Sequence, residues 1–126
     1  MNEPPNEVIV SQAGNATVAA IVGEIDIATA PELRAGITDA IQNTTSPVVV
    51  IDLRRVTFLG SPGLAALIAA EAQAASRGVR LGVLTGGNRI VSRPLQITGM
   101  DLSIPIRDTM SDLEEALEEW SRSSPG

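Results

Sequence analysis

The sequence predicts a single α/β domain, built on a mostly parallel mixed sheet of about four to five strands flanked by about four helices. Two observations carry this. Strand-like and helix-like segments alternate along the chain in the order β-β-α-β-α-β-α-β-α, the pattern of parallel strands joined by crossover helices. The run Val48-Val49-Val50-Ile51 is continuous rather than alternating, as suits a central strand covered on both faces. With 126 residues, 44% of them hydrophobic, the chain can build one real core and is too short for two domains.

Each element has its own signal. Val8-Ile9-Val10-Ser11 and residues 17–22 read as short strands, with Gly14-Asn15 between them as a hairpin turn. Thr29-Ala30-Pro31-Glu32 has the spacing of a capping box, and Leu33, Ile37 and Ile41 follow at helical spacing on one face. The central strand covers residues 47–53. A helix is expected from Pro62 to about Arg77, with Leu64, Leu67 and Ile68 directed inward and Gly78 at the C-terminal cap. Residues 80–84 form a fourth strand. Gly86-Gly87-Asn88 reads as a plain turn before a short helix over 90–98, whose start Pro94 shifts toward Arg93. Ile104-Pro105-Ile106 reads as an edge strand, because proline cannot donate to a central ladder. Ser111-Asp112-Leu113-Glu114 is a second capping box, and Leu113, Leu117 and Trp120 form the inner stripe of a last helix. The expected organisation is a tail over 1–7, a domain over 8–120 and a second tail over 121–126.

Composition excludes much chemistry. The chain has no His, no Cys, no Tyr and no Lys, and its nine basic residues are all Arg. Common zinc sites, His-based nucleophile triads, P-loops and Schiff bases therefore cannot be assembled, and disulfide control is excluded. No metal, no cofactor and no enzymatic activity are expected. A net charge of −6 and the scarcity of aromatic residues argue against nucleic acid as a partner. Basic residues are scattered, Arg54-Arg55 being the only adjacent pair, so direct membrane binding is not expected either. No apolar run approaches the roughly 20 residues that span a bilayer, and the N-terminus lacks the stretches of a secretory signal. A cytoplasmic location follows as an expectation.

One segment stands out. From Asp52 through Leu64 a buried strand ends, a loop turns and a helix starts at Gly60-Ser61-Pro62-Gly63. Ser61 reads as the N-cap and Pro62 as the first helical residue, which places the Ser hydroxyl at the carboxyl edge of the sheet. Asp52, lacking the acidic cluster and Lys of a phospho-accepting receiver domain, reads as a structural anchor. The acidic residues Glu114, Glu115, Glu118 and Glu119 read as a solvated helix face.

Here the sequence resembles the anti-sigma factor antagonist family of the STAS domain superfamily. Residues 23–33, Gly23-Glu24-Ile25-Asp26-Ile27-Ala28-Thr29-Ala30-Pro31-Glu32-Leu33, look like the family's strand-to-first-helix signature, and Asp52 through Leu64 look like its phosphorylation segment. The resemblance spans about residues 8–120 and implies a STAS-like fold. It also implies binding to an anti-sigma factor that is itself a serine kinase, which releases a sigma factor. Phosphorylation by that kinase, reversed by a PP2C-type phosphatase, would fall on Ser61. Asp26, Thr29, Gly60, Ser61, Pro62 and Gly63 would form the partner surface, on a monomer or weak dimer. The segment departs from the usual pattern, which commonly reads Asp-Ser, then Ser or Thr, then Gly. Gly60 removes a negative charge that would oppose a phosphate. A second implied role is as a STAS subunit of a stress-sensing complex or lipid transporter; a nucleotide-binding module is a third reading.

Overall fold

Gly14 adopts φ 62°, a left-handed conformation that glycine enters without strain, and closes the hairpin of β1 (Glu7–Ala13) and β2 (Ala16–Ile25). The computed structural model describes residues 7–123, with side chains through 119. The chain continues as α1 (Ala30–Asn43), β3 (Val48–Leu59), α2 (Ser61–Ser76), β4 (Arg80–Leu84), α3 (Arg89–Ile97), a 3-10 turn (Met100–Leu102), β5 (Ile106–Arg107) and α4 (Met110–Ser123). The strands lie side by side in the order β1-β2-β3-β4-β5, and every pairing except β1 with β2 is parallel. This is the mixed five-stranded sheet with four helices that the alternation of elements predicts.

Residue parity along β3 divides the core. Val49, Ile51 and Leu53 face one way, into a large aliphatic cluster with Leu33, Ile37 and Ile41 of α1, Leu67 of α2, and Val91 and Leu95 of α3. Val48 and Val50 face the other way, joining Val18, Leu84, and Leu113 and Leu117 of α4. Both faces are therefore buried, which is why the β3 sequence does not alternate. Gly82 lets α4 approach: a Cβ there would lie 2.9 Å from Leu113 Cδ1.

Several local expectations are corrected. Ile68 points outward at 57% exposure, because Leu67 and Ala70 take the inner positions of α2. β3 runs on to Leu59, which leaves Asp52 in mid-strand. Thr29 does not close a capping box with Glu32; its hydroxyl turns back to donate to Glu24 O at 2.7 Å. At α4 the capping oxygen is that of Thr109, accepting from Asp112 N at 3.1 Å, two residues earlier than the expected Ser111. Pro94 sits inside α3, whose start at Arg89 is set by the Asn88 cap. The edge strand is Ile106–Arg107, one step beyond Ile104-Pro105. Glu7 already belongs to β1 and residues 121–123 continue α4; the rest of both expected tails, and the Trp120 side chain, lie outside what is described.

β3 pairs with β4 only over Val48–Asp52, and its remaining length pairs with β2 alone, through two bulges. Between Ala20 and Val22 of β2 the partner advances from Asp52 to Arg55, and between Gly23 and Glu24 it advances from Val56 to Phe58. Bulges leave backbone groups without ladder partners. Asn88 supplies them: its amide nitrogen donates to Val56 O at 2.8 Å, with longer bonds of 3.3 Å to Leu53 O and Arg54 O. Its amide oxygen meanwhile caps α3, accepting from Ile90 N at 3.1 Å. Asp is as good an N-cap as Asn but has no donor. Asn88→Asp therefore keeps the helix cap and turns a carboxylate toward three carbonyls, and we expect a loss of about 1–3 kcal/mol by urea unfolding.

Candidate functional site

β2 and β3 end level with each other, Ile25 opposite Leu59. The next residue, Gly60, donates its N–H to Ile25 O at 3.0 Å and ties the strand end to the loop that leaves β2. Gly60, extended at φ −94° and ψ −178°, is the N-cap of α2; Ser61 is the first helical residue and Pro62 follows it. This corrects the expected assignment by one position. Gly60 caps with its carbonyl alone, which accepts from Gly63 N at 2.9 Å and Leu64 N at 3.2 Å, while no side-chain oxygen caps the helix. The Ser61 side chain is thus not engaged as a cap, and Ser61 is exposed.

Gly63 permits this geometry by lacking a side chain. A Cβ there would sit 2.5 Å from Leu59 Cδ1 and 2.7 Å from Ile25 Cγ2, closer than real Cβ contacts come. The backbone of the first α2 turn consequently rests directly on both strand ends.

Opposite Ser61's turn, the loop from Asp26 to Thr29 is locked by its own side chains. Asp26 Oδ1 accepts from Ala28 N at 3.0 Å and Thr29 N at 3.1 Å, an Asx turn. Thr29 Oγ1 accepts from Asp26 N at 3.0 Å while donating to Glu24 O. Asp26 and Thr29 are therefore half-buried and internally bonded, with their roles local as well as positional. Between this loop, α1 and α2 opens a groove of about 590 Å³ lined by Ile27, Ala30, Pro31, Arg34, Pro62 and Ala65, among others. It is apolar apart from Arg34 and Thr38. Ile27, at the loop tip, is 83% exposed on the groove's rim, and Phe58, at 51%, lays its ring against Gly60.

The fold thus brings together Asp26, Thr29, Gly60, Ser61, Pro62 and Gly63, all six of the residues singled out from the sequence. Ile27 and Phe58 were missed. Their signal was available: Ile27 is an apolar residue just past the end of a strand, outside any periodic pattern that would bury it. Asp52 lies elsewhere, in mid-strand, where it receives Arg54 Nε at 3.0 Å, Nη2 at 2.9 Å and the Arg54 N–H at 3.0 Å. That bond and the paired charge push the Arg54 guanidinium further toward its charged form. Asp52 thus does not close the strand as the sequence suggested; in mid-strand its carboxylate holds Arg54, two residues further along β3.

A second cavity, of about 540 Å³, lies where β4 and β5 end, with Arg89, Arg93, Arg107, Asp101, Asp108 and Asp112 around it. Asp108 Oδ1 accepts from Thr85 Oγ1 at 2.6 Å and Gly87 N at 2.9 Å, which holds its carboxyl below the usual carboxylate range. Among the described residues no group of three His, Cys, Asp or Glu side chains is placed to hold a metal ion. No described helix is long and apolar enough to cross a membrane.

Residues 8–108 match the family model described as Mlab, STAS domain, and the chain belongs to the STAS domain family. The anti-sigma-F factor antagonist RsfB of Mycobacterium tuberculosis is 33% identical over 105 residues, 83% of this chain and 84% of its own. The crystal structure of an anti-sigma factor antagonist from Mycobacterium paratuberculosis is similar at a TM-score of 0.80 and 32% identity, covering 94% of this chain and 99% of that one. The Bacillus cell fate determinant SpoIIAA in its phosphorylated form gives a TM-score of 0.62 at 18% identity, over 90% and 98% of the two chains, which shows a common fold.

Two measurements test the site's construction. Gly63→Ala forces the first α2 turn away from Ile25 and Leu59, and we expect a loss of about 1–3 kcal/mol by chemical denaturation. For Asp108 the folded carboxyl is more acidic than the unfolded one, so its stabilisation is present above the unfolded pKa of about 3.9 and fades as pH falls through the lower folded value. The stability gap between wild type and Asp108→Asn should accordingly be flat from neutral pH to about pH 5, and close below pH 4, in urea titrations at stepped pH.

Proposed function

We propose that this protein is an anti-sigma factor antagonist. It binds an anti-sigma factor that is a serine kinase, so that the sigma factor held by that kinase is released. Phosphorylation of Ser61 ends the interaction, and a PP2C-type phosphatase restores it. The protein acts by docking in the cytoplasm, without catalysis of its own. The observation that carries the reading is an exposed serine on the first turn of α2, beside an open apolar groove and two outward-facing hydrophobic residues. The relative at 33% identity over most of both chains, an anti-sigma-F factor antagonist, supports it.

The docking surface consists of Asp26, Thr29, Gly60, Ser61, Pro62 and Gly63, with Ile27 as its apolar anchor. Asp26, Thr29 and Gly63 shape it through their backbone and turn contacts, whereas Ser61, Pro62 and Ile27 meet the partner. Phosphorylation adds about −1.5 to −2 charges at neutral pH. A thousandfold loss of affinity requires about 4 kcal/mol, and an unpaired charge closed into an interface costs several kcal/mol, so one phosphoryl group is sufficient.

Calorimetric titration against the kinase anti-sigma factor tests this. Ser61→Ala should bind within about threefold of wild type, and Ser61→Glu at least about a hundredfold more weakly. Ile27→Asp should lose about 10- to 100-fold while its unfolding curve stays unchanged. With ATP present, the kinase should add one phosphoryl group to wild type and none to Ser61→Ala, read by mass spectrometry. Full binding by Ser61→Glu would remove the switch from the account.

A further inference from the structure

The sheet has two edges, and they are treated differently. β5 is two residues long, too short to recruit another strand. β1 is seven residues long, Glu-Val-Ile-Val-Ser-Gln-Ala, and contains neither the Lys nor the Pro with which sheets commonly guard an edge. It pairs with β2 alone, and among the described residues its backbone makes no hydrogen bond outside that ladder. It has no bulge in its register with β2. Two of its large apolar side chains are open to solvent, Ile9 at 45% and Val10 at 51%, on opposite faces of the sheet.

We propose that β1 is a self-association edge, on which a second copy of this chain pairs antiparallel about a two-fold axis at Val10. The proposal is independent of the Ser61 reading. Three features of the strand select this partner and this register. An isologous contact needs a self-complementary patch, and Val10 is the midpoint of the seven described residues of β1. Centred there, Val10 meets Val10 of the second copy, Ile9 lies opposite Ser11 with the other Ile9 on the diagonal, and Val8 lies opposite Gln12. Directly opposite and diagonal side chains on one face are within contact range, so both exposed apolar residues gain cover in one arrangement.

Charge supplies the third feature. The chain carries a net charge of −6, so most ways of bringing two copies together are opposed. β1 contains one charged residue, Glu7, at its very end. In the Val10-centred register each Glu7 faces Ala13, and the two Glu7 residues are about 20 Å apart along the strands, well beyond the screening length of about 8 Å. A seven-residue strand covers less than the roughly 800 Å² per partner of a standard interface, so the dimer is weak and concentration-dependent. Pairing runs along the side of the sheet and leaves the α2 N-terminus uncovered.

Sedimentation of the full chain over a concentration series is the test. Wild type should shift from monomer toward dimer between about 10 µM and 1 mM, and Val10→Lys should weaken the association at least about tenfold, with an unchanged unfolding curve. Because the chain has no Cys, single cysteines report geometry cleanly. Residues opposite each other in an antiparallel pair have Cα atoms about 4.5–5.5 Å apart, inside the range a disulfide spans. Val10→Cys should therefore cross-link under mild oxidation at least about tenfold faster than Thr45→Cys, an exposed loop position. A chain that stays monomeric at 1 mM, a Val10→Lys variant that associates like wild type, or equal cross-linking at the two positions would each overturn the proposal.

Discussion

The molecule depends on β3 continuing past its neighbour. β4 accompanies it for five residues, from Val48 to Asp52, and then leaves, whereas β3 goes on to Leu59 with β2 alone beside it. A half-paired strand in a protein interior is costly unless its free carbonyls find donors. Asn88 meets that need with one amide group, bonding Val56 O closely and reaching Leu53 O and Arg54 O, while its oxygen starts α3. The two bulges then bring Leu59 level with Ile25. Everything at the candidate site follows from that alignment: the Gly60 to Ile25 bond, the seating of Gly63 on both strand ends, and the exposure of Ser61.

The backbone frame was legible in the sequence because its signals are local and redundant. The unbroken run at Val48–Ile51 announces a doubly covered strand, and Gly14 and Gly78 mark a turn and a helix end by residue type alone. The six residues expected at the partner surface came from the family resemblance, which two contiguous segments carry, and the fold sets those segments side by side at the ends of β2 and β3. What escaped was any feature decided by groups distant in sequence. Asn88 looks like part of a plain turn, and only the fold puts it beside a strand more than 30 residues earlier. Bulges have no fixed residue signature, so the extension of β3 to Leu59 was invisible. Ile68 was assigned inward by spacing, but an alanine-rich helix offers several apolar stripes, and packing chose the one through Leu67, Ala70 and Ala74.

The capping errors share a different cause. Thr29, Ser61 and Ser111 each precede a helix at a suitable spacing, yet none caps it in the expected way. Thr29 is drawn off by Glu24 O, a nearer acceptor at the end of β2. Ser111 is pre-empted by Thr109, which lies two residues earlier. At Ser61 the backbone of Gly60 does the capping, so the hydroxyl is left free. A cap motif specifies where a helix begins to within a residue or two, and the tertiary surroundings select the oxygen.

That last substitution bears on how the proposed switch would work. A helix N-terminus usually receives a phosphate on several free amides. In α2 those donors are scarce, because Pro62 has no N–H and the N–H groups of Gly63 and Leu64 already bond Gly60 O. A phosphoryl group on Ser61 would gain little from the helix and would keep its charge directed outward. Gly60 in place of an acidic residue lowers the repulsion against adding it, and Pro62 denies it shelter once added. Of the two departures from the usual family segment, Gly60 would ease the addition of a phosphoryl group, and Pro62 would leave that group without a helix donor, so that its charge would fall on a complex formed over it.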